Sequence, residues 1–330
     1  MQDLYHLYPL DCIKGTRKYV ADNCVDLIIT DPPYGIKGDQ LHKHYHRHEN
    51  FVIDGYVEIP QNQYFTFSKK WIKEAERVLR PGGSLYIVSG YSNLTDILNA
   101  LRCTNLVEIN HLIWKYNFGV HTRKKYISSH YHILYYAKPG GDITFNTYSR
   151  YGYGEKDEHN NSLNYQDRED VWLINREYKP GEIKNKNELP IELVVKIMQY
   201  SSNEGDLVAD FFLGGFSTAK VAIGLNRRVA GFEINKKSFQ HHAHEIKILQ
   251  PGYLLPNLRK GCVGVPTNQH KRWTKKERRH LYERYREIYN QLKHKRQTIR
   301  LLEGEFGRGY FSILNQIEKM MSSKKVNGKR

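Results

Sequence analysis

Residues 206–233 read DLVADFFLGGFSTAKVAIGLNRRVAGFE, and this segment is the most informative part of the sequence about the fold. Its pattern predicts a strand, a tight turn containing Gly214 and Gly215, a helix, and a second strand that ends just before Glu233. Such a unit is half of a nucleotide-binding α/β sheet, in which glycines let a ligand approach the backbone and the acid accepts ribose hydroxyls. The alternative is an ordinary βαβ unit with a turn glycine and a surface glutamate.

A second motif lies near the N-terminus, where an apolar run over 25–30 ends at Asp31-Pro32-Pro33-Tyr34. Because two prolines stop a strand and stiffen the loop after it, these groups are predicted at the carboxyl end of a strand. The Asp31 carboxylate and the Pro32 carbonyl could accept hydrogen bonds from an exocyclic amine, and the Tyr34 ring could stack on a base. The alternative is a rigid turn.

Strand-like and helix-like segments alternate along the rest of residues 1–258, which predicts a doubly wound α/β sheet, mostly parallel and covered by helices. Apolar residues at helical spacing run from Trp71 to Leu79, and Pro190 opens another helix. From about 142 to 186 the chain is polar and lacks periodicity, which predicts an inserted region. Further strand candidates are 84–88, 106–114 and 131–137.

Composition excludes several classes of protein. The chain has 330 residues, with 51 Lys and Arg against 35 Asp and Glu, a formal net charge of +16. It contains no run of 18 apolar residues and does not begin like a secretory signal, so neither a membrane span nor export is predicted. Its four cysteines lie far apart, which predicts neither a zinc site nor a disulfide framework and fits the cytoplasm. The positive charge predicts a polyanionic partner, most simply nucleic acid.

The positive charge is concentrated near the C-terminus. Residues 259–330 hold 20 Lys and Arg against 6 Asp and Glu, a net of +14, whereas residues 1–258 are close to neutral. Prolines and glycines between 251 and 266 mark the change in composition. We therefore predict two domains, with boundaries at 1–258 and 259–330.

The C-terminal extension is predicted to be largely helical and to bind DNA. Thr274 and Glu277 match a capping box, and the apolar residues that follow predict a helix over about 275–302. That apolar stripe could instead form a dimer contact. The basic candidates for DNA contact in the extension are Arg272, Lys275, Lys276, Arg278, Arg279 and Arg286, and those in the first domain are Arg123, Lys124 and Lys125.

Several segments, in one order, resemble a known family. The chain resembles the β group of the S-adenosylmethionine (SAM)-dependent DNA amino-methyltransferases, in which the catalytic motif precedes the cofactor motif. The resemblance covers roughly residues 5–250. The matching segments are 9–12, 25–34, 77–84, 114–115, 130–138, 186–193, 210–218 and 227–235.

The resemblance implies a Rossmann-like methyltransferase domain with a circularly permuted motif order. In this chain, the SAM half would be 187–250, and the target-recognition region would be the insertion at about 142–186. The implied catalytic residues are Asp31, Pro32, Pro33 and Tyr34. The implied cofactor-binding residues are Asp11, Cys12, Asp31, Leu189, Pro190, Asp210, Phe212, Gly214, Gly215, Ser217, Thr218, Glu233 and Asn235.

Four departures from the family pattern are visible. Phe211 stands for a proline, and Phe216 stands for the second glycine of the cofactor loop. Since phenylalanine needs a different backbone or more room than glycine, an altered loop or altered SAM affinity is expected, with Gly215 as a source of flexibility. Tyr131 replaces a glutamate, and the segment before Pro190 lacks the family's basic residue.

The expected reaction is methyl transfer from SAM to the N6 amine of an adenine flipped out of DNA. Asp31 favours adenine, because cytosine-N4 enzymes of the family usually have serine there. Methylation of cytosine carbon 5 is not predicted, since it usually needs a Pro-Cys nucleophile and no Pro-Cys occurs. The alternatives are a cytosine-N4 enzyme of the same fold and a catalytically degenerate DNA-binding protein.

The expected partners are double-stranded DNA, a cognate restriction endonuclease and, as a further candidate, a second copy of the chain. The implied setting is the cytoplasm of a bacterium, with the gene bacterial or carried by a phage. No metal is predicted, and the alternating histidines of His42–His48 are interpreted as part of a loop that faces DNA.

Overall fold

One mixed sheet of eight strands organises the described part of the chain up to Gly261. The computed structural model describes residues 4–33, 59–117, 119, 121–176, 188–261, 266–268 and 271–327, with side chains as far as residue 321. The chain divides into two compact units. The first unit holds residues 1–151 and 156–261, and the second holds residues 152–155 and 262–330.

The strands of the first unit are β1 (Tyr5–Tyr8), β2 (Val25–Thr30), β3 (Leu79–Ser89), β4 (Val107–Lys115), β5 (His130–Ala137), β6 (Val171–Leu173), β7 (Leu207–Asp210) and β8 (Arg228–Phe232). Their order in the sheet is β1-β8-β7-β2-β3-β5-β4-β6. All neighbours are parallel except β5, which is antiparallel to both β3 and β4. The predicted α/β sheet is thus confirmed.

The helices of the first unit are α1 (Cys12–Tyr19), α2 (Gln61–Val78), α3 (Tyr91–Leu101), α4 (Leu163–Asp167), α5 (Ile191–Ser201), α6 (Ser217–Gly224) and α7 (Lys236–Ile248), followed by a short 3-10 helix at Leu255–Asn257. No described helix is long and apolar enough to cross a membrane.

Helices cover both faces of the sheet, so its central strands are buried on both sides. In β2, Leu27 and Ile29 belong to the apolar cluster under α5 and α6, whereas Ile28 belongs to the cluster under α2 and α3. Alternate side chains of a strand point to opposite faces, which explains why β2 is apolar almost throughout. The largest buried side chain on the α2 side is Trp71, at 0% exposure.

The order of the strands reverses between β2 and β7. On one side of this point lies β7 and then β8, and on the other side lies β2 and then β3. Strands β2 and β7 pair directly, Leu27 with Val208 and Ile28 with Ala209. The loops that leave two such strands diverge and open a crevice at their carboxyl ends, which is where open α/β sheets bind ligands. We call the edge of the sheet where β2 and β7 end the carboxyl edge.

The inserted region contains more structure than its sequence suggested. It forms α4 and β6, and β6 extends the sheet by pairing in parallel with the end of β4, from Ile113 with Val171 to Lys115 with Leu173. Three residues are too few for an alternating pattern to be recognised, so composition alone gave no signal for β6.

The second unit is helical and has its own core. It contains α8 (Lys275–Leu292), α9 (Lys295–Phe306) and α10 (Tyr310–Asn327). The apolar stripe of α8, which could have been a dimer contact, packs inside this unit through Leu281 and Tyr285 against residues of α9 and α10 such as Ile299 and Ile317. The predicted capping box is present, with the Thr274 hydroxyl accepting from the Glu277 N–H at 3.1 Å.

The single helix predicted over 275–302 is two helices. Lys293 takes a left-handed conformation with φ of 52° and ends α8, and the His294 side chain caps α9 by accepting from the Gln297 N–H at 3.3 Å. Neither residue is a usual helix breaker, so the sequence did not indicate a break here.

Candidate active site

The catalytic motif occupies the loop that follows β2. Asp31, Pro32 and Pro33 leave the carboxyl edge, and the Pro33 carbonyl accepts a hydrogen bond of 2.7 Å from the hydroxyl of Tyr64, a fully buried residue of α2. Tyr34 lies outside the described residues. Sequence analysis missed Tyr64, because nothing local distinguishes a tyrosine that anchors a distant loop from one that fills the core.

Asp210 ends β7 next to this loop. Its carboxylate accepts from the Thr30 hydroxyl at 3.1 Å and from the Phe212 N–H at 3.0 Å, and only 3% of the residue is exposed. Burial raises the pKa of Asp210 to about 6, and the nearby Glu233 charge adds to the rise. The Thr30–Asp210 hydrogen bond joins the ends of β2 and β7, so the catalytic motif and the predicted cofactor loop share one crevice.

Phe216 keeps a glycine-like backbone in the cofactor loop. Its φ is 62°, in the left-handed region, and it immediately precedes α6. Its ring is completely buried and packs against Phe239 and His242, with centroid distances of 5.6 and 5.4 Å. Phe216 thus adopts a backbone conformation that favours glycine, and the packing of its ring in the core offsets the strain. The expectation of an altered loop or altered SAM affinity stays a prediction.

The two glycines of this loop have different roles. Gly214 has a φ of 50°, and its N–H donates to Glu233 at 2.9 Å. At Gly215 a Cβ atom would lie 2.4 Å from the side chain of Glu188, so a larger residue would require this side chain to move. Gly214 and Phe216 have the positive φ values of the loop, and flexibility at Gly215 stays a prediction.

Glu233 follows β8 and holds the cofactor loop. Its two oxygens accept from the N–H groups of Gly214 and Asn235, at 2.9 and 2.7 Å. Burial raises its pKa. A carboxylate has room for about four hydrogen bonds, so Glu233 can still accept from further hydroxyls. The Asn235 side chain caps α7 by accepting from Lys237 and Ser238 N–H groups, at 3.0 and 3.2 Å.

The remaining predicted cofactor residues surround this loop or lie on neighbouring elements. Asp11 caps α1 by accepting from the Lys14 N–H at 3.0 Å, and the buried Cys12 follows it, with the pKa of its thiol raised by burial. The main chain here runs beside β8, since the Glu233 N–H donates to the Tyr8 carbonyl at 3.1 Å.

The other predicted cofactor residues lie at the start of α5 and around the loop before α6. Leu189 and Pro190 are buried at the start of α5. Phe212 packs edge-on against Trp71, and the buried Ser217 and Thr218 begin α6.

These residues fit SAM by their chemistry. Glu233 offers a carboxylate to ribose hydroxyls at the end of the second strand of a nucleotide-binding unit. The buried carboxyls Asp210 and Glu233 have raised pKa values, and a cationic ligand in the crevice would favour their charged forms. SAM carries a ribose, a sulfonium and an ammonium, so it meets both requirements.

The basic residues predicted to contact DNA are all exposed. Arg123, Lys124 and Lys125 lie in the connection from β4 to β5, which begins and ends at the carboxyl edge. The candidates of the second unit are Arg272, Lys275, Lys276, Arg278, Arg279 and Arg286, and among the described residues none of these six forms an ion pair with an acid.

One group of described residues has the donor set of a metal site, away from the predicted residues. His241, His242 and Glu245 of α7 hold their ligand atoms within 4.8 Å of one another. However, Glu245 already accepts from the Lys220 ammonium at 2.7 Å, and this cation would oppose a metal ion. The His42–His48 run lies outside the described residues.

The chain is similar to known DNA methyltransferases in both sequence and structure. A profile of the DNA methylase family, covering N6 and N4 methyltransferases, matches residues 25–244. The chain is 32% identical over 228 residues to the type II methyltransferase M.HpaI of Haemophilus parainfluenzae, with 67% of each protein covered. It is 30% identical over 243 residues to the DNA adenine methyltransferase YhdJ of Escherichia coli, and this alignment covers 69% of this chain and 77% of that protein.

Solved structures agree on the fold. The M1.HpyAVI–SAM complex superposes with a TM-score of 0.51 at 20% identity, covering 74% of this chain and all of that one. The PvuII DNA methyltransferase, which is cytosine-N4-specific, superposes with a TM-score of 0.55 at 14% identity, covering 75% and 87%. The predicted Rossmann-like methyltransferase fold is confirmed.

The ends of β2 and β7 thus lead into the DPPY loop and a SAM-type glycine loop, and the family profile matches across both. The chain therefore belongs to the DNA methylase family, whose members transfer a methyl group from S-adenosylmethionine to an exocyclic amine of adenine or cytosine.

Proposed function

We propose that this chain methylates the N6 amine of adenine within a specific double-stranded DNA sequence. The observation that carries the proposal is the position of Asp31, directly after β2. The hydroxyl of the preceding residue, Thr30, donates a hydrogen bond of 3.1 Å to Asp210 of the cofactor crevice. An aspartate at this position supports adenine over cytosine-N4, for which the family usually has serine. The similarity to a DNA adenine methyltransferase of Escherichia coli agrees with this choice.

Asp31 and the Pro32 carbonyl would act on the amine of the target base. The amine lone pair is delocalised into the ring, so the nitrogen is a weak nucleophile. Hydrogen bonds from the amine to these two acceptors would favour a tetrahedral nitrogen and orient its lone pair for in-line attack. Positioning and electrostatics would therefore supply most of the rate. Tyr64 supports the loop through the Pro33 carbonyl and would act as a positioning residue.

The other predicted residues would bind the cofactor, which supplies an electrophilic methyl group on sulfur. Glu233 would accept the ribose hydroxyls, and Asp11 and Cys12 would border the adenine end. The loop from Asp210 to Thr218, which contains Phe212, Gly214, Gly215 and Ser217, would enclose the ligand. Leu189 and Pro190 would line the pocket beside it, and Asn235 would hold the start of α7.

The target base must leave the duplex to reach this crevice, because a stacked base is inaccessible. Unstacking costs a few kcal/mol, and stacking on Tyr34 would offset about 1–3 kcal/mol of it. The basic residues of the second unit, together with Arg123, Lys124 and Lys125, would contact phosphates and hold the DNA. The protein would act in the bacterial cytoplasm beside a restriction endonuclease that cuts the same sequence, as the names of its type II relatives suggest.

Expression in a host strain without DNA methyltransferases tests the proposal. Sequencing that distinguishes modified bases should find N6-methyladenine in one short sequence. N4-methylcytosine in place of N6-methyladenine would select the cytosine enzyme. Unmodified DNA from cells that contain folded protein with DNA affinity would indicate a degenerate binding protein.

A further inference from the structure

Tyr126 is an aromatic residue whose ring lies almost entirely in water. Its exposed fraction is 98%, and no other large hydrophobic residue in the described part of the chain exceeds 77%. The three residues before it, Arg123, Lys124 and Lys125, are also exposed, and none of them forms an ion pair with a described acid. We call residues 122–126 the basic loop.

The basic loop is held in shape by contacts on either side of Tyr126. The Thr122 hydroxyl donates to the Lys125 carbonyl, which closes the loop just before the tyrosine. Just after it, the Ile127 side chain lies against the bare backbone of Gly119, where a Cβ atom would collide with it. Because the loop is already ordered, the ring loses less conformational entropy when it binds a partner.

The strands that carry the basic loop extend beyond the carboxyl edge. Thr30, the last residue of β2, pairs with Ile87 of β3, and Ile87 pairs with Leu134 of β5. β5 begins four residues before Leu134, at His130, so β5 and its partner β4 continue about 13 Å past the end of β2. Only β3 lies between β2 and β5, which places the two strands about 10 Å apart. The basic loop therefore projects beside the catalytic loop.

An exposed ring that follows three cations fits a DNA duplex from which one base has moved out. Such a base leaves a space between the flat faces of the two neighbouring base pairs. An aromatic ring can stack on those faces, and proteins that deform DNA often insert an apolar side chain between base steps. The adjacent cations suit the phosphates beside the space. Ring and charge together indicate duplex DNA as the partner of this surface.

We propose that the Tyr126 ring enters the duplex and fills the space that the target base leaves when it moves into the crevice. The base stays out because its return would have to displace the ring. Arg123, Lys124 and Lys125 bind phosphates on the same side and orient the loop. The inference rests on the proposed function for the existence of a target base outside the duplex.

A pyrene nucleotide tests this role by binding alone, without turnover. Pyrene is a flat ring system about as large as a base pair, so a pyrene opposite the target base fills the same space. The duplex carries the sequence that the full chain binds most tightly, selected from random DNA, and pyrene is placed opposite each base in turn. Affinity is measured for the parent, Y126A, Y126F and the control Y91A. Tyr91 is another exposed tyrosine, at the start of α3, with no basic residue beside it.

We expect Y126A to bind the unmodified duplex about tenfold more weakly, because a stacking contact is lost. The slope of log affinity against log salt concentration should not change, since tyrosine carries no charge. Pyrene opposite one base should bring Y126A to within about twofold of the parent on the same duplex, since pyrene and the ring fill the same space. Pyrene at other positions should not. Y126F keeps the ring, so it should match the parent, as should Y91A.

The proposal is overturned if Y126A binds the unmodified duplex as tightly as the parent, or if pyrene restores its affinity at no position. An equal loss in Y126F or in Y91A would also overturn it, because neither variant removes the ring of Tyr126. Since Tyr126 is exposed, Y126A should unfold at the parent's midpoint. Y126Q repeats the series if Y126A fails to fold.

Failure of the proposed function would appear separately. Restored binding with pyrene opposite a cytosine would support the role of Tyr126 and overturn the choice of adenine. Restored binding opposite an adenine, in DNA that the parent does not methylate, would support the role of Tyr126 and overturn the transfer activity.

Discussion

Asp210 shows how one residue can serve binding at a cost in stability. Its carboxyl is buried between Thr30 and Phe212, where ionisation is unfavourable, and its pKa is raised to about 6. The fold therefore makes ionisation of Asp210 less favourable than it is in the unfolded chain. We infer that a cationic ligand in the crevice would stabilise the ionised form, so that Asp210 would lower the stability of the free protein and raise its affinity for that ligand.

We predict that D210N is stabilised relative to the parent at high pH. Since the pKa of Asp210 is higher in the folded than in the unfolded protein, the parent loses stability as pH rises from about 4 through about 6, whereas asparagine does not titrate. The difference in free energy of unfolding should grow by about 2 kcal/mol between pH 4 and pH 8. Urea unfolding of both proteins at several pH values measures it. A difference independent of pH would contradict the raised pKa.

At Phe216, backbone strain lowers the stability of the protein and core packing raises it. Substitution by glycine would relieve about 1 kcal/mol of left-handed strain. It would also remove a fully buried ring, and Phe-to-Ala changes in cores cost about 3–5 kcal/mol. Packing should win, so F216G is predicted to lose about 2 kcal/mol or more in thermal or urea unfolding, although it restores the family's residue.

Lys293 is the matched control for the strain. It has a φ of 52° but is exposed, so K293G relieves the same strain without creating a cavity. We expect K293G to stabilise the protein by about 0.5–1 kcal/mol. Equal effects of F216G and K293G would mean that the Phe216 ring contributes little to the core.

At the scale of elements, α8 separates its apolar and basic residues on different faces. Leu281 and Tyr285 are buried, whereas Lys275, Arg279 and Arg286 are exposed. Spacings of 4 and 7 place these three basic residues on one stripe, and Tyr282 and Tyr289 lie along it. Aromatic rings among cations suit contact with nucleic acid.

We predict that the stripe accounts for phosphate contacts made by α8. The double variant R279Q/R286Q should lower the slope of log affinity against log salt by about 2, near 0.9 for each contact. The control R296Q/K319Q removes two exposed charges from α9 and α10 and should change the slope little. Fluorescence anisotropy over a range of salt concentrations makes the comparison. Equal slopes for the two double variants would show that only net charge matters.

The elements also show which patterns a sequence can reveal. The unit from β7 to β8 was predictable, because glycines, apolar runs and Glu233 all lie close together in sequence. The helix break at Lys293 was not, since the residue adopts a left-handed conformation without the usual glycine. The antiparallel insertion of β5 between β3 and β4 was also hidden, because periodicity identifies strands but not their order.

The same limit applies within the site. The DPPY loop and the cofactor loop were found from local patterns and a resemblance. Tyr64 donates a hydrogen bond to the Pro33 carbonyl, 31 positions away in sequence, and it lies outside every motif. Only the fold brings such pairs together. Tyr34 lies outside the described residues, so its role stays a prediction.

For the whole molecule, the first unit carries the catalytic and cofactor loops, and residues 259–330 carry +14 of the +16 formal charge. Each unit has an apolar core of its own. We therefore predict that transfer chemistry and most of the DNA affinity belong to different parts of the chain.

Removal of residues 262–330 tests this assignment. The remaining chain should fold and bind SAM with unchanged affinity, since its core and cofactor loop are intact. Its affinity for DNA should fall about 10- to 1,000-fold, and the slope of log affinity against log salt concentration should become smaller. Calorimetry with SAM and anisotropy with a DNA duplex measure the two effects. A truncated protein with the parent's salt slope would place the phosphate contacts in the first unit.

We propose that Asp31 acts on an adenine amine in the crevice between β2 and β7. The most direct test incubates full-length protein with methyl-labelled SAM and mixed-sequence DNA, digests the DNA to nucleosides and identifies the labelled product, with D31N in parallel. We predict labelled N6-methyldeoxyadenosine from the parent. D31N should give at least about 100-fold less product at saturating SAM, where a change in cofactor affinity does not limit the rate. Label in N4-methyldeoxycytidine, or undiminished transfer by D31N, would contradict the claim.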